Sequence, residues 1–263
     1  MVKRSMSMVK SFIYTACRPL RRLRGTHAPQ IEYIPVSIPA LPAAFEGYTL
    51  AVVTDMHLPD SLSTPQEVLS SIDRIQPDII LLAGDIANRH SRFVPEETAV
   101  FLKNLAQKAP AFAVTGNHEQ TADYLPVFRT LAAQAGVTLL ENTVYALQKE
   151  GQVLPLYGLC TEDITPVSAE SPSILLCHFP HTAAGLAESG FSLAVCGHAH
   201  GGQIRFGKQG LYAPGQGFFP RYTSGLYRVG SMQMVVSRGG PVPPVLPGCG
   251  TGRRRATWGS VRR

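Results

Sequence analysis

Short apolar runs alternate with helical patterns along this sequence, and this alternation limits the possible folds more strongly than any other feature. Seven runs have the length and composition of buried strands. They span residues 50–54, 79–83, 111–115, 137–140, 153–159, 174–177 and 193–196, and one more strand is predicted at 232–237. Strands that alternate with helices in this way are typical of an α/β domain.

Start and stop signals mark three helices between these strands. Thr64, Pro65 and Glu67 provide an N-cap, a proline in the first turn and a capping-box glutamate, so the first helix is predicted through about residue 75. The second helix is predicted from Pro95 through about residue 108. The third is predicted from about residue 123 to Gly136, because glycine adopts the left-handed conformation that ends helices.

Polar side chains with metal-binding chemistry follow five of the predicted strands. They are Asp55 and His57, then Asp85, then the run Asn117-His118-Glu119, then His178, and finally His198 and His200. Ligand sites of α/β folds form at the carboxyl ends of strands, so we expect these side chains to converge. Carboxylate, imidazole and carboxamide groups together are suitable ligands for borderline divalent metals.

Each of these motifs taken alone also has a purely structural interpretation. A single D-x-H or G-D motif is more often a turn than a pair of ligands, and Asn-His after glycine is ordinary turn chemistry. Cys177 and Cys196 are typical of buried strand residues, and His27, His90 and His181 are typical of surface histidines. Independent turns are not expected to supply ligands at five strand ends, so the complete set predicts a metal site.

Taken in order, the motifs D-x-H, G-D, G-N-H-E, a later histidine and G-H-A-H-G-G resemble those of the calcineurin-like metallophosphoesterases. The run at 198–203 looks like the branch that contains YkuE- and YaeI-type phosphodiesterases and the chlamydial-type UDP-2,3-diacylglucosamine hydrolase. The resemblance extends over about residues 47–240 and is specific for the superfamily, but not for the substrate. It implies an α/β fold in which two facing β-sheets flanked by helices form a four-layer αββα sandwich, with metals at the sheet ends.

Carried onto this sequence, the resemblance implies two divalent metal ions that share seven ligands. Asp55, His57 and His200 are expected to hold one ion and Asn117, His178 and His198 the other, with Asp85 bridging both. Two imidazoles for each ion favour Mn²⁺, Fe²⁺ or Zn²⁺ over Mg²⁺ or Ca²⁺, and Mn²⁺ is the expected metal.

The resemblance also implies a catalytic role and a supporting role. His118 is expected to face the scissile phosphate, where it stabilises transition-state charge or protonates the leaving oxygen. Many relatives orient this histidine with an aspartate three residues after the bridging one, and this chain has Asn88 there. A carboxamide holds the ring but does not offset an imidazolium charge. This departure favours diesters and pyrophosphates, whose leaving groups need less protonation.

Composition divides the chain into three predicted regions. Residues 1–46 form a basic, Pro-containing N-terminal arm, residues 47–240 the catalytic domain, and residues 241–263 a disordered, Arg-rich tail without strand periodicity. The net charge of +6 comes from the two ends, because 12 of the 24 basic residues lie before residue 25 or after residue 250. All 18 acidic residues lie between Glu32 and Glu188, so the middle of the chain is acidic.

The predicted reaction is metal-dependent hydrolysis of a phosphodiester or pyrophosphate bond. The resemblance points to a lipid-linked sugar nucleotide such as UDP-2,3-diacylglucosamine, which is cleaved during lipid A biosynthesis. Alternatives among enzymes are a nucleic-acid exonuclease and a general cyclic-nucleotide or phosphodiester phosphodiesterase. The acidic middle region argues against a nucleic-acid partner, because nucleic-acid binding needs basic residues near the site. A non-catalytic metal-binding scaffold is the remaining alternative, although it has no chemical need for seven ligands.

The N-terminal arm has the pattern of a segment that binds an anionic membrane surface peripherally. Seven basic residues before residue 25 are interleaved with apolar ones such as Phe12, Ile13 and Tyr14. A solvated arm and a shortened export signal are the alternatives. No stretch reaches the roughly 18 to 20 apolar residues of a spanning helix. Five cysteines without a C-x-x-C pair indicate a reducing compartment, so the expected location is the cytoplasm or the inner face of the cell membrane.

Overall fold

Two six-stranded β-sheets pack face to face in the structure, which is a computed structural model. It describes residues 29–61, 63–88, 95–160, 169–202, 204–206, 209–213, 215–240 and 257–262. Helices cover the outer face of the first sheet, and a short helix and a small third sheet cover the outer face of the second. The α/β, four-layer αββα sandwich predicted from the sequence is therefore confirmed.

The first sheet is built around four parallel strands. In spatial order its strands are β1 (Gln30–Pro35), β15 (Thr257–Arg262), β2 (Leu50–Val53), β3 (Ile79–Ala83), β4 (Ala111–Val114) and β5 (Thr138–Leu139). β2 to β5 run parallel, β15 is antiparallel to β2, and β1 pairs in parallel with β15. Every residue of β2, β3 and β4 is buried, as expected for parallel strands that are covered on both faces.

The second sheet also has a parallel centre, with an antiparallel strand at each edge. In spatial order its strands are β13 (Gly225–Val229), β14 (Met232–Val236), β9 (Leu193–Cys196), β8 (Ile174–Cys177), β7 (Gln152–Leu159) and β6 (Thr143–Lys149). A small antiparallel sheet consists of β10 (Ile204–Phe206), β11 (Gln209–Ala213) and β12 (Gly217–Phe218). Parallel β8 and β9 direct their carboxyl ends toward the same edge.

In the described part of the chain, three α-helices cover the first sheet and a fourth lies against the second. They are α1 (Pro65–Ile75), α2 (Pro95–Ala106), α3 (Leu125–Ala135) and α4 (Ala183–Glu188). The predicted capping box is confirmed, because the Glu67 backbone N–H donates to the Thr64 hydroxyl and the Thr64 backbone N–H donates to the Glu67 carboxylate. Gly136 ends α3 with a φ of 77°. No helix among the described residues is both long and apolar enough to cross a membrane.

A shared apolar core holds the two sheets together. Leu81 of the first sheet and Leu176 and Val195 of the second belong to this core, and all three are completely buried. Burying a side chain of this size contributes about 1.5–3 kcal/mol. The core therefore fixes the sheets, and with them the strand ends that carry the predicted site.

The structure corrects the predicted domain limits at both ends of the chain. β1 begins at residue 30 and Phe45 is 1% exposed in the core between the sheets, so the arm predicted for residues 1–46 is wrong from residue 30 onward. Residues 1–28 lie outside the described residues. Residues 257–262 form β15, so the disordered tail predicted for 241–263 is wrong there. β15 contains Gly259 and Ser260 in place of a continuous apolar run, and its partner β1 lies more than 200 residues away, so no nearby sequence indicates the pairing.

Deleting residues 241–263 is expected to lower stability without removing metal. β15 pairs with β1 on one side and β2 on the other, so the deletion exposes the edge of β2 and separates β1 from the sheet. At about 0.5–1.5 kcal/mol for each lost hydrogen bond, the free energy of unfolding should fall by about 3 kcal/mol or more. Metal content should not change, because every predicted ligand precedes residue 201. Urea unfolding and elemental analysis measure both quantities, and an unchanged unfolding free energy would contradict the position of β15.

Candidate metal centre

The five polar strand ends meet at one edge of the sandwich. His57 after β2 and His200 after β9 bring their Nε2 atoms within 3.2 Å of each other. Asp85 Oδ2 after β3 and His178 Nε2 after β8 are also 3.2 Å apart. Each contact joins a residue of the first sheet to a residue of the second, so the strand ends converge as predicted.

Asp55, His57 and His200 form the first group of candidate metal ligands. One ligand atom from each lies within 4.8 Å of the others, and His200 Nε2 is 3.4 Å from Asp55 Oδ1. The Asp55 carboxylate accepts hydrogen bonds from the Thr54 hydroxyl at 2.8 Å and from the His198 backbone N–H at 2.9 Å. Chain segments from both sheets therefore fix the orientation of this carboxylate.

Asp85, His178 and His198 form a second group, and all three are buried. His198 Nδ1 lies 3.0 Å from His178 Nε2. On the other side of its ring, His178 Nδ1 lies 2.7 Å from the Ala83 carbonyl oxygen. A histidine that donates from Nδ1 to a carbonyl presents the lone pair of Nε2 to the site, which is the usual arrangement of metal-binding histidines.

A third group, formed by His57, Asp85 and His118, connects the other two. It shares His57 with the first group and Asp85 with the second. Two ligands that are each about 2.0–2.2 Å from the same ion lie about 3 Å apart. The nitrogen separations of 3.0 and 3.2 Å match that spacing. The donor set and its geometry therefore fit divalent metal ions.

His118 borders this cluster from the end of β4. Its ring centroid is 4.5 Å from that of His57, and its Nε2 is 3.9 Å from Asp85 Oδ2. Its backbone N–H donates to Asp85 Oδ1 at 2.9 Å, and its side chain is 13% exposed. Asn117 precedes it in the same turn and is half-buried. The position of His118 suits either a metal ligand or a group that faces a substrate.

Asn88 contacts a carboxylate that sequence analysis did not single out. Its Nδ2 donates to Asp60 Oδ2 at 2.8 Å, and its backbone N–H donates to the Leu58 carbonyl at 3.0 Å. Asp60 follows β2, in the turn after the D-x-H motif. A carboxylate from a different strand end thus holds the Asn88 side chain, and the orientation of His118 by Asn88 stays a prediction.

Burial and mutual charge set the protonation of the cluster. Burial holds the pKa of His57 well below its ordinary value and lowers that of His198 to about 2, so both rings are neutral. Burial also acts to lower the pKa of His178, but Asp85 and Asp55 raise it to about 10. Burial acts to raise the pKa of Asp85, but His178 holds that pKa well below its ordinary range. For Asp55 burial is the larger effect, and it raises the pKa although His200 and His178 act to lower it. A divalent cation would favour the neutral imidazoles and ionised carboxylates that bind metals.

Five of the predicted site residues have left-handed backbone conformations. They are Asp55, His57, Asp85, His198 and His200, with φ between 48° and 66°. Positive φ is uncommon outside glycine and costs roughly 1–3 kcal/mol for each residue, and such strain concentrates at functional sites. The turns also require glycine, because a Cβ on Gly197 would overlap the Thr54 hydroxyl and the Asp55 carboxylate.

Glu119 is a buried residue for which the sequence motif alone gives no role. Its carboxylate accepts backbone hydrogen bonds from Asp85, Ala87 and Gly116 at 2.8 to 3.0 Å, and it is completely buried. Burial and the nearby Asp85 raise its pKa to about 7. Asp85 and Ala87 follow β3 whereas Gly116 follows β4, so the Glu119 carboxylate ties together two strand ends of the site.

Glu119→Ala is expected to destabilise the protein strongly. The change leaves three backbone N–H groups without their acceptor, at about 1–3 kcal/mol each, so the free energy of unfolding should fall by about 3 kcal/mol or more. Glu141→Ala is the matched control, because Glu141 forms a partly exposed ion pair with Arg129, and such pairs contribute about 0–1 kcal/mol. Urea unfolding measures both variants. Equal losses would show that the three hydrogen bonds do not stabilise the strand ends.

Comparison with known families adds an independent finding. The model of a family described as calcineurin-like phosphoesterase matches residues 48–202, which is more than half of the chain and contains all seven candidate ligands. Among solved structures, the phosphopantetheinyl hydrolase PptH from Mycobacterium tuberculosis matches with a TM-score of 0.47 and 14% sequence identity. That match covers 72% of this chain and 88% of the other.

Proteins from several bacteria are similar to this chain in sequence. A protein named uncharacterized metallophosphoesterase YkuE, from Bacillus subtilis, is 27% identical over 213 residues, which cover 76% of this chain and 74% of the relative. Phosphodiesterase YaeI from Escherichia coli is 31% identical over 179 residues, covering 62% and 63%. UDP-2,3-diacylglucosamine pyrophosphatase LpxG from Chlamydia trachomatis is 23% identical over 225 residues, covering 64% and 68%. The chain therefore spans about three quarters of YkuE and less than two thirds of YaeI.

Proposed function

The chain belongs to the calcineurin-like phosphoesterase family, and we propose that it hydrolyses phosphodiester or pyrophosphate bonds with two divalent metal ions. Membership makes it a metal-dependent phosphoester hydrolase. The observation that supports the two-metal proposal is the set of three interlocking ligand groups where the two sheets meet. The three groups together contain five histidines and two aspartates, and burying so many polar side chains does not help an apolar core to pack.

The proposed ligand sets follow the contacts between the side chains. One ion is held by Asp55, His57 and His200, the other by Asn117, His178 and His198, and Asp85 contributes to both. The contacts of His57 with His200 and of His178 with His198 support the pairing of histidines within each set. Asp85 belongs to two of the three ligand groups, which supports its shared role.

The proposed metal is Mn²⁺, with Fe²⁺ or Zn²⁺ as alternatives, because the ligand sets are rich in imidazole. Ions of this kind, when bound, activate a water nucleophile and neutralise phosphoryl oxygens. The chain itself supplies rigid donors for them, since burial and backbone hydrogen bonds hold the Asp55 and Asp85 carboxylates in place.

His118 is the proposed catalytic residue. Its ring is 13% exposed and lies next to Asp85 and His57, where it could meet the phosphate of a substrate. There it would donate a hydrogen bond or a proton to the leaving oxygen. Asn88, itself held by Asp60, is proposed to orient the ring. A carboxamide does not stabilise an imidazolium charge, so substrates with good leaving groups are favoured.

We propose a lipid-linked sugar nucleotide, such as UDP-2,3-diacylglucosamine, as the substrate class. Similarity to LpxG, whose name specifies that pyrophosphate substrate, supports this choice. Similarity to YaeI, which is named a phosphodiesterase, supports the broader class. The proposed location is the inner face of the cell membrane, because residues 1–24 combine basic and apolar side chains. Those residues lie outside the described part of the chain, so sequence alone supports their membrane role.

A substrate panel tests the proposal. Purified protein with Mn²⁺ is assayed against bis-p-nitrophenyl phosphate, p-nitrophenyl phosphate, UDP-2,3-diacylglucosamine and single-stranded DNA, and Asp85→Ala prepared in the same way serves as the blank. The expected result is hydrolysis of the diester and the pyrophosphate, with little activity on the monoester. Activity on DNA alone would identify a nuclease instead, and bound metal without activity on any substrate would identify a scaffold.

A further inference from the structure

Two adjacent phenylalanines are exposed to solvent at the end of the short strand β12 and in the turn that follows it. Phe218 is 68% exposed and Phe219 is 77% exposed, the highest values among the large hydrophobic side chains that the structure describes. Both belong to residues 215–222, named here the aromatic loop. Single exposed hydrophobic residues are common on protein surfaces, but two large neighbouring aromatic side chains exposed to this degree call for a partner.

The aromatic loop is held rigidly in this exposed conformation. The Gln216 side chain closes it by donating to the Tyr222 carbonyl at 2.6 Å and accepting from the Tyr222 backbone N–H at 2.8 Å. The Phe219 backbone N–H donates to the Leu211 carbonyl at 2.9 Å. Phe219 also has a φ of 55°, which is rare and costly for an aromatic residue. The fold thus holds the Phe219 backbone in a strained conformation in which its apolar side chain is exposed to water.

The aromatic loop also reaches the candidate metal centre. Gly215, at the start of the loop, lies so close to the His181 ring that a Cβ there would overlap it. The His181 ring centroid is in turn 5.7 Å from that of the candidate ligand His198. The first residue of the aromatic loop is therefore linked to the metal centre through the His181 ring.

The charge around the aromatic loop limits the chemistry of its partner. No acidic residue follows Glu188 in the sequence, so neither the loop nor any later residue carries a carboxylate side chain. Arg221 is exposed and lies over the Tyr222 ring, with its guanidinium carbon 5.3 Å from the ring centroid. Exposed aromatic side chains beside a basic one, in a segment that itself has no acidic residue, are typical of surfaces that insert into the interface of an anionic lipid layer.

We propose that the aromatic loop is a lipid-contacting surface that seats the metal centre on an anionic membrane. Phe218 and Phe219 insert at the boundary between the lipid headgroups and the acyl chains, and Arg221 remains among the headgroups. The proposal rests on the proposed function in one respect: a substrate that resides in a membrane would explain why this surface lies close to the catalytic site. Contact with lipid is a property of the loop and does not require catalysis.

Vesicle cosedimentation of full-length chains tests the proposal. The vesicles contain phosphatidylglycerol and phosphatidylethanolamine, and binding is measured at low salt and at about 0.5 M salt, where attraction by the basic N-terminal arm is screened. The test variant combines Phe218→Thr with Phe219→Asn, because asparagine tolerates the left-handed backbone. The control combines Val144→Thr with Val153→Thr, which remove two exposed valines from β6 and β7. A thermal melt confirms that each variant is folded.

The expected result is a partition coefficient for the test variant at least about tenfold below that of the wild type at both salt concentrations. The control should stay within about twofold of the wild type. Arg221→Gln should lower binding by about fivefold at low salt only, because one basic residue near an anionic surface contributes about 1 kcal/mol. Failure of the wild type to bind, or equal binding of the test variant and the wild type, would overturn the proposal.

Two further readouts separate this proposal from its competitors. A wild-type dimer that the test variant does not form would assign the aromatic loop to contact between copies and overturn the lipid proposal. Hydrolysis of bis-p-nitrophenyl phosphate by the wild type needs no lipid, so it reports on the proposed function alone. If the protein binds vesicles through the aromatic loop but does not hydrolyse bis-p-nitrophenyl phosphate, the lipid-contact proposal is supported and the diesterase proposal is refuted.

Discussion

Asp85→Ala is expected to abolish hydrolysis of bis-p-nitrophenyl phosphate and to reduce the metal content from two ions per chain to one or none. Asp85 belongs to two of the three ligand groups and contacts His178 at 3.2 Å, so its removal affects both proposed ions. It also leaves the buried His178 ring without its carboxylate partner. Elemental analysis and the diesterase assay on the same preparation measure the two effects.

Asp73→Ala is the matched control for this experiment. Asp73 is also an aspartate, but its side chain is 60% exposed and pairs with Lys108 on the outer surface. Its replacement should leave both metal content and turnover unchanged, because exposed ion pairs contribute little. Retention of two ions and activity in Asp85→Ala would refute the shared-ligand role.

His118→Asn is expected to lower kcat by about 10² to 10⁴ while both metal ions stay bound. That range is typical of losing a general acid or a donor that stabilises transition-state charge. His118 lies at the edge of the cluster with its Nε2 3.9 Å from Asp85, a longer separation than the 3.2 Å between His178 and Asp85. The prediction is checked by elemental analysis together with kcat and KM for the diester.

His57→Asn is the matched variant that shows what the loss of a metal ligand looks like in the same assays. His57 contacts His200 within the first ligand group, so its replacement should remove metal and activity together. If His118→Asn loses metal to the same degree, His118 is a ligand, and the third group of His57, Asp85 and His118 is itself a metal site.

The convergence of the site was predictable because it depends on local patterns. Each ligand motif directly follows an apolar run, as Asp55 follows β2 and His178 follows β8, and the carboxyl ends of parallel strands share one edge of a sheet. The capping box that begins α1 was predictable for the same reason, since Thr64 and Glu67 are three residues apart.

Features that depend on distant contacts were not predictable. The pairing of β1 with β15 joins the two ends of the chain, and nothing local in either segment indicates its partner. The role of Glu119 appears only when the backbone N–H groups after β3 are brought to it, and Asp60 becomes notable only through its contact with Asn88. The aromatic loop was missed because exposure, unlike hydrophobicity, is a property of the folded chain.

The most direct test of the two-metal centre is an anomalous difference map from crystals grown with Mn²⁺. The account predicts two peaks, one beside Asp55, His57 and His200 and the other beside Asn117, His178 and His198, with Asp85 in contact with both. A single peak, or peaks away from Asp85, would contradict it.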